Sequence, residues 1–275
     1  MASLPKFIPP MLAKHVEPFD SEAHFFEVKW DGIRALAFLE GECTRLLSRR
    51  ETPLLERYPE LEFLRDLESG AVLDGEIVLF TDGRPDIQRL LSRQQGKSSR
   101  AAVAKAPVTY IVFDLLYVDG DSLLDRPLKE RRTALREYVN TASQVRLVFS
   151  DGVTGAGRTL FEQTSAQGLE GVVAKRMDGH YRPGVRSDSW LKIKQSRSLQ
   201  CVIIGYVAAG EDDFKSLIVA AEEDGGLRCV GKVGSGIDAA TRQSLNESLR
   251  ADLESGPLSN VCSTVSGLSR GSTAR

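Results

Sequence analysis

The sequence has few of the residues that build metal centres or disulfide frameworks. Its 275 residues include four cysteines and three histidines. The cysteines form no C-x-x-C pair, so we expect neither a zinc site nor a disulfide scaffold. The chain also lacks a signal-peptide pattern and an apolar run of the roughly 18 residues that a membrane span needs. We therefore expect a cytoplasmic protein in a reducing compartment, with no membrane contact.

The sequence also lacks an excess of charge of either sign, since 36 basic and 38 acidic residues leave a net charge of −2. A nucleic-acid partner is usually indicated by net basicity, so the composition does not indicate one. Positive charge is nevertheless concentrated in residues 84–105 and 175–197, with six and seven basic residues against one and two acidic ones. Either segment alone fits a solvated surface, whereas two together favour a polyanionic partner.

Hydropathy patterns predict an α+β fold with mostly antiparallel sheets. Four prolines in residues 1–25 predict an irregular arm, because proline fixes φ and removes a backbone donor. Short stretches rich in Val, Ile, Leu and Phe follow from Phe25 and are typical of strands. Helical periodicity covers residues 59–67, 87–93, 128–139 and 159–167, and Thr159 is the predicted cap of the last helix.

A second block begins after the polar residues 195–200. Three strand patterns within residues 201–234 and a helix pattern at 239–253 are typical of a small barrel or sandwich. Residues 255–275 are rich in Ser and Gly and have little apolar periodicity, so we expect them to be disordered. The predicted organisation is a first domain over residues 1–198, a second over 199–254, and a tail over 255–275.

The most informative string is K-W-D-G-I-R at residues 29–34. Lys29 ends a strand pattern, and Asp31 and Gly32 form a turn signal directly after it. A lysine amine is a nucleophile only when it is deprotonated, a state that burial or neighbouring cations favour. The same string fits a hairpin turn flanked by surface charges. The other motifs must therefore decide between a nucleophilic lysine and an ordinary turn.

Four further strings follow in the order found in covalent nucleotidyltransferases. Residues 29–34 resemble motif I of these enzymes, and Ser48-Arg49 stands where a small motif lies between I and III. The other strings are L-D-G-E at 73–76 (motif III), V-F-D at 112–114 (IIIa), E-G-V-V-A-K at 170–175 (IV) and W-L-K-I-K at 190–194 (V). Over residues 8–253 the chain resembles ATP-dependent DNA ligases. It is most similar to the ligase domain of bacterial end-joining ligases, which share the string at 231–238.

The resemblance implies an adenylation domain followed by an OB-fold, and it implies residue roles in catalysis. Lys29 would be the nucleophile that attacks the α-phosphate of ATP. Lys192 and Lys194 lie at i and i+2, on one face of a strand, and would stabilise that phosphate. Glu170 would bind Mg²⁺ (or Mn²⁺) directly, and Glu76 would contact the ribose and the metal.

The resemblance also implies the contacts to the nucleotide and the DNA. Phe113 would stack on adenine, and Glu27 would help to fix the base. Arg34 would contact the nucleotide sugar and the nick, and Arg49 the 5′-phosphate. Without the resemblance, Phe113 fits a core residue, and either arginine fits a surface salt bridge.

These roles predict an enzyme that seals nicked double-stranded DNA through lysyl-AMP and an adenylylated 5′-phosphate. The two basic segments would contact the phosphate backbone. We expect a monomer in the bacterial cytoplasm, associated with the nucleoid. The sequence leaves open whether an end-binding or polymerase partner works with it.

The resemblance is incomplete in the second block. OB-folds have five strands, and three are predicted here, so we expect an incomplete barrel. Relatives end with a basic motif VI that orients the departing pyrophosphate, and nothing after Leu253 resembles it. We therefore expect an impaired first step. The alternatives are an RNA ligase or capping-type nucleotidyltransferase, or a catalytically weak module that binds nicks or ends.

Overall fold

The computed structural model describes residues 4–95, 103, 106–195, 199–210, 213–223 and 225–251. The chain divides into two compact units, Met1–Gln195 and Ser196–Arg275. Several predicted features lie outside the described residues. They are the tail at 255–275, the end of the last predicted helix at 252–253, and the basic residues Lys97, Arg100, Lys105 and Arg197.

Twelve described strands build two sheets in the first unit. They are β1 (Leu12–His15), β2 (Ser21–Val28), β3 (Ile33–Leu39), β4 (Arg45–Ser48), β5 (Ala71–Thr81), β6 (Arg84–Pro85), β7 (Val108–Val118), β8 (Asp121–Ser122), β9 (Leu147–Phe149), β10 (Gly152–Gly155), β11 (Gly171–Arg176) and β12 (Arg186–Lys194). The larger sheet has the order β4-β3-β5-β7-β8, with β6 on β5 and β9 on β7. The smaller sheet has the order β1-β12-β11-β2-β10. The pairings are antiparallel, as predicted, except for β1 with β12 and β7 with β9.

The described helices lie close to the predicted segments. The α-helices are α1 (Ile87–Gln95), α2 (Leu128–Ala142), α3 (Gly157–Ala166) and α4 (Ala239–Ala251), and 3-10 helices cover Leu55–Arg57 and Pro59–Asp66. The predicted cap at Thr159 is wrong, because α3 begins two residues earlier and has no side-chain cap of its own. The Arg158 backbone N–H instead donates to Asp20 at 2.8 Å, so a residue distant in sequence satisfies the first turn.

The predicted irregular arm is wrong in part. β1 lies within it and pairs in parallel with β12, with His15 opposite Lys192. β2 also begins at Ser21, four residues before the predicted start at Phe25. The prolines stand outside both strands, and the partner of β1 is about 175 residues away in sequence, which local patterns do not reveal.

Alternation along the strands gives the larger sheet two buried faces. Ala35, Ala37 and Leu39 of β3 face the 3-10 helices and α2, whereas Leu36 and Phe38 face the smaller sheet. The outer face of the smaller sheet is covered by α3 through Phe26, Val172, Ala174, Ile193, Leu160 and Phe161. Along each strand, side chains that point between the two sheets therefore alternate with side chains that point into the outer cores. The polar residues of the motifs lie in the space between the two sheets.

The second unit contains a three-stranded antiparallel sheet and α4. Its strands are β13 (Val202–Ala208), β14 (Phe214–Glu223) and β15 (Gly226–Val233), in that order. The Asp213 carboxylate accepts hydrogen bonds from Arg242 at 2.8 and 3.0 Å and from Asn246 at 3.2 Å, which ties α4 to the start of β14. Among the described helices of the whole chain, none combines the length and apolarity required to cross a bilayer.

Candidate active site

Seven of the nine predicted site residues line one cavity between the two sheets. The cavity measures about 190 Å³, and the seven are Glu27, Lys29, Arg34, Arg49, Glu76, Phe113 and Lys192. Strand alternation explains this convergence, since residues two apart share a face. Glu27, Lys29 and Lys192 come from or directly follow strands of the smaller sheet, and the other four come from or directly follow strands of the larger one.

The remaining two residues join the site through Lys29. The Lys29 Nζ donates a hydrogen bond to the Glu170 carboxylate, whose other oxygen pairs with Lys194. Burial raises the pKa of Glu170, but the hydrogen bonds from Lys194 and Lys29 outweigh it and hold this pKa below its ordinary value. A charged carboxylate therefore lies directly beside the candidate nucleophile.

Two glycines of the motifs allow the strands to approach at this point. Gly171 has a φ of +144°, and a Cβ there would lie 2.1 Å from the Ile193 carbonyl oxygen. A Cβ on Gly32 would lie 2.3 Å from the Ile77 carbonyl oxygen. The Lys29 backbone N–H also donates to the Gly171 carbonyl at 2.9 Å, which brings motif I against motif IV. Gly32 of the D-G pair in motif I and Gly171 of the E-G pair in motif IV are thus required by the close packing at the site.

Arg34 is fixed by Asp74, a residue for which the motifs predicted no role. Its guanidinium donates to both oxygens of the buried Asp74 carboxylate at 2.7 and 2.6 Å, and Tyr181 Oη donates to the same carboxylate at 2.7 Å. The Arg34 Cζ lies 5.0 Å from the centre of the Phe113 ring and 5.2 Å from that of Trp190. Arg34 is therefore oriented by a bidentate pair and by aromatic rings.

Glu76 lies opposite Arg34 in the pairing of β3 with β5. Burial raises the pKa of Glu76 to about 8, although the Arg34 and Lys29 cations act in the opposite direction. The carboxyl is thus largely protonated at neutral pH and can donate a hydrogen bond as well as accept one. Such a group suits a ribose hydroxyl, while metal binding requires the loss of its proton.

Glu27 is held in a buried ion-pair cluster. Its Oε1 lies 2.5 Å from Lys175 Nζ, and its Oε2 accepts a hydrogen bond from Arg132 Nη1 at 3.2 Å. The Lys175 amine also donates to the Phe113 carbonyl at 3.2 Å and lies 4.2 Å from the centre of that ring. Burial lowers the pKa of Lys175. Lys175 lines the cavity as well, although it is not among the nine predicted site residues.

The burial of Lys175 corrects part of the prediction about the basic segments. Lys175 is 1% exposed, so it cannot contact a DNA backbone. Arg93 of the other segment has a side chain that is only 8% exposed and that pairs with Glu60 at 2.8 Å. Among the described members of the two segments, the exposed arginines are Arg84, Arg89, Arg176, Arg182 and Arg186. The segments therefore contain structural cations as well as exposed ones.

The chemistry of the cavity fits a nucleotide and a divalent cation. Six cations line it against the carboxyls of Glu27 and Glu76, and the cations are Lys29, Arg34, Arg49, Lys175, Arg186 and Lys192. This excess of positive charge suits a polyphosphate. No group of three His, Cys, Asp or Glu within the described ranges could hold a metal. Mg²⁺ commonly uses one or two carboxylates together with substrate phosphates, and Glu170 and Glu76 supply two.

Comparisons with known proteins agree with this chemistry. Residues 10–194 match the family model described as the ATP dependent DNA ligase domain. The chain is 36% identical over 253 residues to DNA ligase C of Mycobacterium tuberculosis, an alignment that covers 87% of this chain and 70% of the relative. It is 34% identical to the multifunctional non-homologous end joining protein LigD of Pseudomonas aeruginosa, over 94% of this chain and 31% of that protein.

The solved structures lead to the same family. The mycobacterial DNA ligase D complexed with ATP and MES has a TM-score of 0.62 and 33% identity, with 90% of this chain and 78% of that chain covered. It shares the nucleotidyltransferase and OB-fold architecture expected for the two units. The family predicted from the motifs is confirmed: the chain belongs to the ATP-dependent DNA ligases.

Proposed function

We propose that this chain seals nicks in duplex DNA with Lys29 as its nucleophile. The observation that carries the proposal is the contact of Lys29 with Glu170 beside a cavity lined by seven of the predicted site residues. Ligases of this family use ATP and a divalent metal and act through lysyl-AMP. In the first step the neutral Lys29 amine attacks the α-phosphorus of ATP and the Nζ–phosphorus bond forms. The bond to the β-phosphate oxygen breaks, pyrophosphate leaves with that electron pair, and the amine proton passes to solvent.

The phosphate end of the site would be formed by Lys29, Lys192, Lys194 and Glu170. Lys192 and Lys194 lie on one face of β12 and would stabilise the charge that develops on the α-phosphate oxygens. Glu170, joined by Glu76, would hold the divalent metal, which when bound neutralises charge on the phosphates. The contact of Glu170 with both Lys29 and Lys194 supports this grouping.

The base end would be formed by Phe113 and Glu27. At about 190 Å³ the cavity is smaller than the roughly 300–1,000 Å³ typical of small-molecule sites, so it would enclose the base, with the phosphates at its Lys29 and Lys192 end. Phe113 would stack on the adenine and Glu27 would contact its edge. Arg34 would contact the sugar and the nick, and the exposed Arg49 would bind the 5′-phosphate.

Nicked double-stranded DNA is the proposed macromolecular partner. The exposed arginines of the basic segments, such as Arg84 and Arg182, would bind its phosphates without reading sequence. Sealing should therefore weaken steeply with salt, because each phosphate contact releases counterions. The check is the sealing rate at subsaturating DNA between low and moderate ionic strength, and a flat response would contradict this assignment.

We also propose the organisation and setting of the chain. Residues 1–198 would be the adenylation domain and 199–254 an incomplete OB-fold, supported by the division of the chain into two units and by the three described strands of the second unit. The chain would act as a monomer in the bacterial cytoplasm, at the nucleoid. An end-binding or polymerase partner is proposed because multifunctional end-joining proteins are among its relatives.

Labelling with α-labelled ATP or GTP tests the proposed function. A covalent, acid-labile adduct formed with ATP, and lost in Lys29→Ala, supports the ligase. An adduct formed with GTP in preference to ATP would support a capping-type enzyme, and sealing of nicked RNA in preference to DNA would support an RNA ligase. Binding to nicked duplex without any adduct would support a module that only recognises nicks or ends.

A further inference from the structure

A buried ion-pair cluster joins Glu27 to Lys175 and Arg132. Arg132 comes from α2, outside all five motifs, and its side chain is 7% exposed. Besides Glu27, it donates to the Ser150 carbonyl at 2.9 Å. Its Cζ lies 3.6 Å from the centre of the Phe25 ring. A charge so deeply buried is costly unless its partners are fixed, so the arrangement holds Arg132 in one position.

We propose that Arg132, together with Lys175, is a positioning residue that holds the Glu27 carboxylate against the nucleotide base and thereby sets a preference for 6-aminopurines. This inference rests on the proposed function, in which Glu27 lies at the base end of the cavity. The two cations, Arg132 and Lys175, are not among the residues proposed to form the phosphate end of the site.

The hydrogen-bond inventory of Glu27 supports this role. Each carboxylate oxygen has two acceptor sites, and the two cations occupy one on each oxygen. The remaining sites can accept but cannot donate. They match the exocyclic amine of adenine and oppose the carbonyl at the same position of guanine. Glu27 also lines the cavity, so a base enclosed there would lie next to this residue.

Of the two cations that pair with Glu27, Arg132 can be replaced without changing a residue that lines the cavity. Among the described residues, Glu27 would then keep only the contact to Lys175, whose amine is shared with the Phe113 carbonyl. A glutamate held by one flexible amine loses the fixed orientation that a planar guanidinium imposes. The affinity for the amine-bearing base should fall, while contacts to sugar and phosphates stay in place.

The test contrasts ATP with purine riboside triphosphate, which lacks the 6-amino group. Covalent labelling of the full 275-residue chain is measured by intact mass as a function of nucleotide concentration. In Arg132→Met, KM for ATP should rise about tenfold while KM for the analogue and both saturating rates change by less than about threefold. General structural damage would raise KM for both nucleotides alike.

Arg136→Met is the matched control. Arg136 lies one turn further along α2, is exposed, pairs with Asp151 at 2.9 Å and also packs on Phe149. It makes no contact with Glu27, so both KM values should equal those of the wild type.

Arg132→Lys is the second variant, which keeps the buried charge but loses the planar fork that joins Glu27 to Ser150. It should lose part of the preference for ATP. Two results would overturn this inference and leave the proposed function intact. They are an unchanged ratio of KM for ATP to KM for the analogue in both Arg132 variants, or an equal rise of both KM values. No adduct with either nucleotide in the wild type would overturn the proposed function, and this inference with it.

Discussion

The two ends of the cavity are built differently. The reactive group, defined as Lys29, Glu170, Lys192 and Lys194, has ion-paired side chains that are 21–37% exposed. The recognition group, defined as Glu27, Lys175, Arg132 and Phe113, has ion-paired side chains that are at most 7% exposed. A partly exposed ion pair can be replaced by a contact to a phosphate at a small cost in free energy, whereas breaking a buried ion pair has a large cost. Mutations in the first group should therefore affect chemistry, and mutations in the second should affect stability and selectivity.

The largest expected effect is the loss of the first step in Lys29→Ala. No lysyl-AMP can form without the amine, so sealing with ATP should be abolished. Sealing of a pre-adenylylated nick should stay within about tenfold of the wild type, because that step does not use the nucleophile. The control is Lys129→Ala, an exposed position on α2. Equal loss on both substrates would place Lys29 outside the reactive group.

The next largest effect is expected in the free energy of unfolding, which should fall more for a mutation in the recognition group than for one in the reactive group. Lys175→Met leaves the Glu27 carboxylate with one fewer cation in a buried site, and such a change costs about 3–5 kcal/mol. Lys194→Met removes a partly exposed pair worth about 0–1 kcal/mol. Urea unfolding of both variants gives the comparison. Equal free energies of unfolding would remove the structural distinction between the two ends.

Glu170→Gln should lower the rate of self-adenylylation at saturating ATP by about 100-fold, since it removes a charge at the reacting phosphate. The Mg²⁺ concentration for half-maximal labelling should rise, while the urea midpoint should change little because Glu170 is partly exposed. Glu162→Gln, on the exposed face of α3, is the control. An unchanged Mg²⁺ requirement would argue against Glu170 as a metal ligand.

The smallest expected effect concerns Glu76, whose folded-state pKa of about 8 lies above the ordinary value of 4.5. The unfolded chain loses this proton at lower pH, so wild-type stability should fall as the pH rises from 4.5 to about 8. Glu76→Gln cannot lose a proton, and near pH 8 it should be more stable than the wild type by on the order of 1–3 kcal/mol. The two proteins should unfold alike near pH 4.5. A pH-independent difference in the free energy of unfolding would contradict the raised pKa.

The reactive group could be predicted from the sequence because its residues lie in motifs with fixed local spacing. Lys192 and Lys194 share a face by strand alternation alone, and the D-G and E-G glycines mark where strands approach closely. The convergence of Lys29, Glu76 and Phe113 on one cavity followed from the family resemblance, which carries tertiary information that composition lacks.

The recognition group could not be predicted in the same way. Arg132 lies 105 residues from Glu27, and its charge looks like that of any helical surface residue until α2 is docked. Lys175 was assigned to a basic segment for DNA because burial cannot be read from a count of charges. Asp74 was recognised only as part of L-D-G-E, and its role in orienting Arg34 depends on the pairing of β3 with β5. Each of these roles arises from contacts between elements that are distant in sequence.

The most direct test of the account is to locate the covalent nucleotide. The 275-residue chain is incubated with ATP and Mg²⁺, digested, and analysed by mass spectrometry for a peptide that carries one AMP. We expect a single modified peptide containing Lys29, with no AMP on Lys175, Lys192 or Lys194. AMP on any of those three lysines, or none on the chain, would contradict it.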